Sequence, residues 1–296
     1  MISVKGLLVV RPAAFGFNPE TAASNSFQQQ VKDAQPPALQ EFDALMRRLA
    51  KCKIPIEVID DLPQPAKPDA IFPNNWFSTH PGGVLMLYPM CAPNRRLERL
   101  GSIIEKLWHN YRYQTLHDLT AFEKEEKFLE GTGSIVFDHE EKIAYAAFSP
   151  RTDKDVLLEA CERLGFLPLA FLANDRHGKA IYHTNVVMAL HKKLAIVCLE
   201  SILPEDRRAV TRMLEISGRT ILPITFAQME AYAGNVLFVR NAAGKDFVLL
   251  SQSAWNAFLP EQQKQIASYA EPIVTAIPTI EKAGGGSVRC MIAELY

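Results

Sequence analysis

The sequence predicts a closed α/β ring of five strand–strand–helix–strand units, and three observations predict it. Similar apolar runs restart at Ser134, Asn185 and Asn235, separated by 51 and 50 residues. Periods of this size signal modular architecture. Within each period two strand-like runs precede one helical pattern and a third strand, whereas an ordinary doubly wound sheet alternates strand and helix singly. Finally, each end of the chain carries an incomplete unit, and the two fragments together make one. An N-terminal segment that completes a C-terminal unit closes the ring and hides the end faces an open array would expose. The expectation is one domain over residues 1–296.

Taken in chain order, Gly6–Val10, a helix over Leu39–Ala50 and a strand over Ile54–Ile59 supply most of the split unit. Trp76–Leu87 reads as a strand pair around Pro81-Gly82-Gly83, followed by a helix over Asn94–Trp108 and a strand over Tyr111–Thr115. The next unit runs Gly133–Phe137, Ile143–Phe148, helix Asp153–Leu164 and Leu167–Leu172. The third is Asn185–Leu190, Leu194–Leu199, helix Pro204–Ser217 and Thr220–Ile224. The fourth is Asn235–Val239, Phe247–Leu250, helix Pro260–Tyr269 and Ile273–Ala276. Arg289–Leu295 is the missing first strand of the split unit.

Composition narrows the functional classes. A formal net charge of −1 argues against nucleic-acid or membrane-surface binding. No apolar stretch approaches the roughly 18–20 residues a bilayer needs. The N-terminus runs directly into a strand pattern without a signal peptide's apolar region, so a cytoplasmic location is expected. The five cysteines are scattered, and no Cys/His pair has metal-ligand spacing. Neither metal nor organic cofactor is expected: Gly284-Gly285-Gly286 lacks the spacing and the following helix of a phosphate loop. Cys52, Cys161 and Cys198 lie in apolar runs and read as reduced core thiols. Cys290 differs, because a glycine triplet leading to a cysteine lets backbone and substrate approach a thiolate.

The chemistry-bearing residues fall at equivalent points of the repeat. Asn74 and Asn75 precede the first complete unit, Glu130 the second, His183 the third, Gly234-Asn235 the fourth, and Cys290 the split one. In a ring these starts face one axis, which brings together a thiol, an imidazole and a carboxylate that are distant in sequence. The remaining histidines, at 80, 109, 117, 139, 177 and 191, sit mostly in polar or turn-like stretches and read as solvated.

The runs Pro68-Asp69-Ala70-Ile71-Phe72-Pro73-Asn74-Asn75, Ala92-Pro93-Asn94-Arg95-Arg96, Leu129-Glu130-Gly131, Ser149-Pro150-Arg151-Thr152, the His183 segment and Gly284 to Cys290 occur in that order. In order and spacing they resemble dimethylargininase and the wider guanidino-group-modifying hydrolases and amidinotransferases, the pentein superfamily. With Arg11-Pro12 and Phe15 to Thr21 included, the chain is most similar to bacterial citrulline utilisation hydrolases. The resemblance implies a five-module pseudo-symmetric α/β propeller and a hydrolase of linear C–N bonds. It implies that Cys290 attacks as thiolate, that His183 serves as acid and then base, and that Glu130 orients His183. It further implies that Arg95 and Arg151 clasp an amino-acid carboxylate and that Asp69 meets the substrate's delocalised head group. Asn18 and Asn25, with Phe27, would form a lid or meet the α-amino end.

Two departures bear on substrate. Family members acting on cationic arginine carry a carboxylate where this chain has Asn75, and deiminases carry Asp where it has Asn185. A buried carboxylate without a cation costs roughly 3–5 kcal/mol, whereas an amide offers a donor and an acceptor to a neutral ureido group. Citrulline, giving ornithine, ammonia and carbon dioxide, is therefore the expected substrate. An arginine or acyl-arginine dihydrolase or deiminase, a dimethylargininase, an amidinotransferase and a catalytically silent amino-acid-binding protein are the alternatives. The aspartate that usually follows the active-site acid is also missing, since Thr132-Gly133 follow Gly131. The expected partner is a small amino acid; oligomeric state leaves no signature in the sequence.

Overall fold

A computed structural model describes residues 1–296. Fifteen strands form five sheets of three. They are β1 (Gly6–Arg11), β2 (Ile56–Asp60), β3 (Phe77–His80), β4 (Val84–Leu87), β5 (Thr115–Asp118), β6 (Ile135–Asp138), β7 (Ile143–Ala147), β8 (Leu167–Phe171), β9 (Met188–Leu190), β10 (Leu194–Val197), β11 (Thr220–Pro223), β12 (Leu237–Arg240), β13 (Asp246–Ser251), β14 (Glu271–Thr275) and β15 (Ala293–Leu295). In every sheet the first pair is antiparallel and the second parallel. A parallel partner requires a crossover, and a helix supplies it each time. The crossovers are Gln35–Leu49, Gly101–Tyr111, Lys154–Leu164, Pro204–Ile216 and Pro260–Tyr269.

The helices follow from local sequence. Pro204 and Pro260 occupy first-turn positions, where the missing N–H has no partner to lose. Asp153 caps the next helix by accepting from Asp155 N and Val156 N, and Gly165 ends it at φ 67°. That helix buries Val156, Leu157, Ala160 and Cys161, one apolar stripe against its sheet.

The short strands β3, β6, β9, β12 and β15 line the centre. β6 packs on β9, β9 on β12, and β15 on β3. β15 also pairs with β1, through Gly6 opposite Leu295 and Leu8 opposite Ala293. The chain's last strand thus completes the sheet its first strand begins, and the architecture is a five-module α/β propeller. No helix is long and apolar enough to cross a membrane.

Several boundaries differ from the sequence reading. The strands expected from Gly133 and Asn185 are preceded by one-turn helices, Gly131–Ser134 and Thr184–Val187, and begin only at Ile135 and Met188. The apolar runs hide these turns because their residues are buried in either conformation. The expected strand Arg289–Leu295 shrinks to β15, because Cys290 N bonds Ser287 O at 2.9 Å in a turn. The helix expected over Asn94–Trp108 breaks into Pro93–Arg96 and Gly101–Tyr111. Glu98, in the break, bonds back to Arg95. The strand expected over Tyr111–Thr115 moves to β5, since the helix continues to Tyr111 and Arg112 turns at φ 54°. His80 and His191 are buried, not solvated: His80 contacts Ser78 Oγ and His191 contacts Asp246.

Candidate active site

Glu130 sits at the turn before β6, where Gly133 N and Ser134 N both donate to its carbonyl. Only glycine fits at 131, because a Cβ there would lie 2.4 Å from Asn74 O and φ is 46°. The Glu130 side chain is wholly buried yet fully engaged. Its Oε2 lies 2.9 Å from His183 Nε2 and 3.4 Å from Arg151 Nη1, and its Oε1 accepts from Cys91 N at 3.1 Å. Burial alone would raise its pKa. The Arg151 guanidinium, the His183 hydrogen bond and Arg95 overcome that and hold the carboxyl well below its ordinary value.

An ionised Glu130 only accepts, so the neutral His183 carries its proton on Nε2 and presents Nδ1 as a base. Burial pulls the imidazole down to about 4, with Glu130 opposing. The ring passes so close to Gly133 that a Cβ there would stand 2.7 Å from Nδ1. Asn75 Nδ2 would be nearer still, at 2.5 Å, so a side chain at 133 would collide with both.

Cys290 lies on the turn after the glycine triplet and is nearly fully buried. Its Sγ stands 3.3 Å from Asn235 Nδ2 and 3.7 Å from Asn185 Nδ2. Burial pushes the thiol up, with the Asn235 hydrogen bond as the first opposing contribution. Both directions favour a thiol at 290 and a neutral imidazole at 183.

Cys290 and His183 line one narrow cavity of about 20 Å³ with Asp69, Asn75, Arg95 and Arg151. Asp69 Oδ2 accepts from Asn18 Nδ2 at 2.8 Å and from Thr21 Oγ1 at 3.1 Å, while Oδ1 is buried without a partner. Burial raises the Asp69 pKa, opposed by Arg95. Asn75 Oδ1 accepts from Arg95 Nη1 at 2.8 Å, which fixes the amide and leaves Nδ2 as a buried, unpartnered donor. Arg151 is held by Ser24 Oγ and Thr21 O, at 2.6 and 2.8 Å from Nη2, and stacks 5.1 Å from the Tyr182 ring centroid. Asn25 also lines the cavity and donates to Gly285 O at 3.1 Å, tying the N-terminal loop to the glycine triplet.

Asn18, Asn74, Glu130 and Asn185 stand behind the cavity wall, each bonded to other residues. Asn74 donates to Thr132 Oγ1 at 3.2 Å. Arg95 departs from the expected carboxylate clasp. Its fork is taken by Glu98, at 2.9 Å from Nε and 2.9 Å from Nη2, and its other hydrogens face Asn75, Phe72 O and Glu130. A buried guanidinium with these partners has no free bidentate face, and Glu98 and Asp69 raise its pKa against the burial that lowers it.

Tyr182, Ser24 and Glu98 were not read as site residues from the sequence, and Asn235 was placed at a unit start without a role. Asn235 carries the repeat phase as its signal and Tyr182 its adjacency to His183. Ser24 and Glu98 carry none, since only the folded loop brings Ser24 to Arg151.

The fold is that of a pentein of the dimethylargininase-like class. It belongs to the N,N-dimethylarginine dimethylhydrolase family, eukaryotic, whose model matches residues 11–296. A comparison with curated proteins gave no match. Among solved structures, the product-bound N-terminal domain of ArgZ, a cyanobacterial arginine dihydrolase, superposes with a TM-score of 0.76 at 16% identity, covering 100% of this chain and 98% of that one. Full-length apo ArgZ gives 0.75 at 16%, with 98% of this chain covered and 40% of that one, so the chain spans about two fifths of the full dihydrolase. The dimethylarginine hydrolase DDAH from Pseudomonas aeruginosa, a cysteine-to-serine mutant complexed with citrulline, gives 0.71 at 17%, covering 99% and 100%. At these identities the likeness is one of fold.

Proposed function

We propose that residues 1–296 act as one catalytic unit, a cysteine-dependent hydrolase of the ureido or guanidino group of an arginine-like amino acid, with citrulline the favoured substrate. One observation carries the choice of head group. The cavity wall holds one buried acceptor without a partner, Asp69 Oδ1, and one buried donor without a partner, Asn75 Nδ2. A ureido group offers N–H to the first and C=O to the second; a guanidinium offers only N–H and leaves the Asn75 donor facing another donor.

The Cys290 proton passes to His183, giving a thiolate and an imidazolium that Glu130 stabilises. The thiolate attacks the ureido carbon. The C–N bond breaks as the imidazolium protonates the departing nitrogen, leaving an S-carbamoyl cysteine. Neutral His183 then takes a proton from water, whose oxygen displaces the sulfur. The carbamic acid released falls to carbon dioxide and amine. Arg151, whose Nε and Nη2 both bond Ser24 Oγ, is freed to hold the substrate carboxylate only when the loop bearing Ser24 moves away, and Arg95 orients Asn75 and Asp69. A cavity of about 20 Å³ has room for roughly one water, so the loop bearing Asn18, Asn25 and Phe27 must open to admit an amino acid.

A guanidino substrate is the second reading. Three buried carboxylates, Asp69, Glu98 and Glu130, share two guanidinium groups, and a cationic head group would balance the third. The deciding experiment assays ammonia and ornithine with citrulline, arginine, dimethylarginine and acylated arginines, with Cys290→Ser as the blank. Citrulline turnover lost in the blank is expected. Asn75→Asp should shift citrulline-to-arginine selectivity at least about tenfold toward arginine. Unchanged selectivity removes the head-group argument, and a new amidine formed only with an added amine would make the chain an amidinotransferase.

A further inference from the structure

We propose that Asn235 is a positioning residue that holds the Cys290 sulfur in both of its protonation states, its Oδ1 accepting from the thiol and its Nδ2 donating to the thiolate. The inference deepens the reading above, because it rests on Cys290 as nucleophile.

Asn235 is wholly buried, and both ends of its amide flank the sulfur. Nδ2 is 3.3 Å from Sγ and Oδ1 is 3.6 Å from it. The amide orientation is fixed independently of the sulfur, since Nδ2 also donates to the Asn185 carbonyl at 3.0 Å, a group that can only accept. Asn185 Oδ1 lies 3.1 Å from the same Nδ2, and Asn185 Nδ2 is anchored on Thr132 O at 3.1 Å. A chain of amides therefore runs from the β6 turn through Asn185 and Asn235 to the sulfur, drawing on three modules.

The backbone is shaped for this contact. At position 234 a Cβ would lie 2.2 Å from Val186 O, so only glycine lets the fourth module's start press against the third's. The turn is closed by Asn235 N donating to Tyr232 O at 2.9 Å. No lysine or arginine side chain is hydrogen-bonded to the sulfur, so the side chains that donate directly to a thiolate here are neutral amides, with Arg289 contributing its charge at longer range. Asn185 flanks the sulfur in the same way but from farther off, with Nδ2 at 3.7 Å and Oδ1 at 3.9 Å, so Asn235 is the nearer of two amides.

The test titrates the thiolate directly by its ultraviolet absorbance, taking each protein minus the same protein carrying Cys290→Ser, so that no reagent need enter the cavity. Asn235→Asp, which keeps shape but removes the donor and adds charge, should raise the midpoint by about one unit or more, and Asn235→Ala should raise it in the same direction. With substrate, kcat should fall about tenfold or more while KM holds. Should Asn235→Ala fail to fold, the isosteric aspartate variant decides. An unmoved midpoint in a folded Asn235→Asp protein overturns the proposal, as does a wild-type thiol that stays protonated up to the alkaline limit of folding. If no amino acid is turned over but the midpoint moves as stated, the substrate reading fails and the role of Asn235 stands.

Discussion

Neutral His183 is a product of its surroundings. Burial lowers its pKa from 6.5 to about 4, further than the Glu130 contact can restore. The sign for stability follows. In the unfolded chain the ring takes a proton below about 6.5, whereas the folded protein resists until about 4. Stability from this group is therefore complete above the unfolded value and falls as pH drops between the two. Denaturant midpoints at pH 7 and pH 5 should differ in the wild type, and the difference should shrink in His183→Asn; an equal difference in both would place the acid sensitivity elsewhere. At the residue scale, the meeting of Cys290 and His183 at one cavity, with Glu130 bonded to His183, was legible through repeat phase and resemblance. Their partners were not. The Glu98 contact that occupies Arg95 depends on a helix break invisible in an amphipathic run, and the two orphan atoms of Asp69 and Asn75 exist only once neighbouring amides have chosen partners.

Between residue and ring, the recurring element is a tight turn that delivers a polar side chain inward and then a short strand. Val186 N donates to His183 O at 3.2 Å, Gly133 N to Glu130 O at 3.0 Å and Asn235 N to Tyr232 O at 2.9 Å. Where two such turns touch, the fit leaves no room for a methyl group. Gly234→Ala should therefore destabilise the protein by about 3 kcal/mol or more, by driving a Cβ into Val186 O, and chemical denaturation would measure it. A loss within about 0.5 kcal/mol would mean the turns separate easily. Two crossover helices were legible almost to the residue: Pro260–Tyr269 falls where periodicity placed it, and Lys154–Leu164 begins one residue inside the expected span, whereas the helix expected from Leu39 begins at Gln35 and that expected over Asn94–Trp108 is broken. The turns were not, since burial on both faces removes the alternation that separates strand from helix.

Across the whole molecule, closure depends on a short strand at the extreme C-terminus. β15 pairs with β1 and packs on β3, and buries Ala293 and Leu295 in the cluster that holds Leu8 and Val10. Removing residues 293–296 should strip β1 of its antiparallel neighbour and expose that cluster. The expected outcome is loss of the cooperative thermal transition, read by circular dichroism; a truncated protein melting like the full chain would show that closure contributes little. The split unit was legible because both fragments were too short to make a module alone.

The seam of the ring joins segments that lie far apart in sequence, with Gly6 opposite Leu295 and Leu8 opposite Ala293. Cys290 stands a few residues before that seam, so the same long-range pairing that shuts the ring also seats the sulfur. Contacts of such high sequence separation form late, because loop-closure entropy must be overcome first, and the cavity is therefore among the last parts of the fold to be completed.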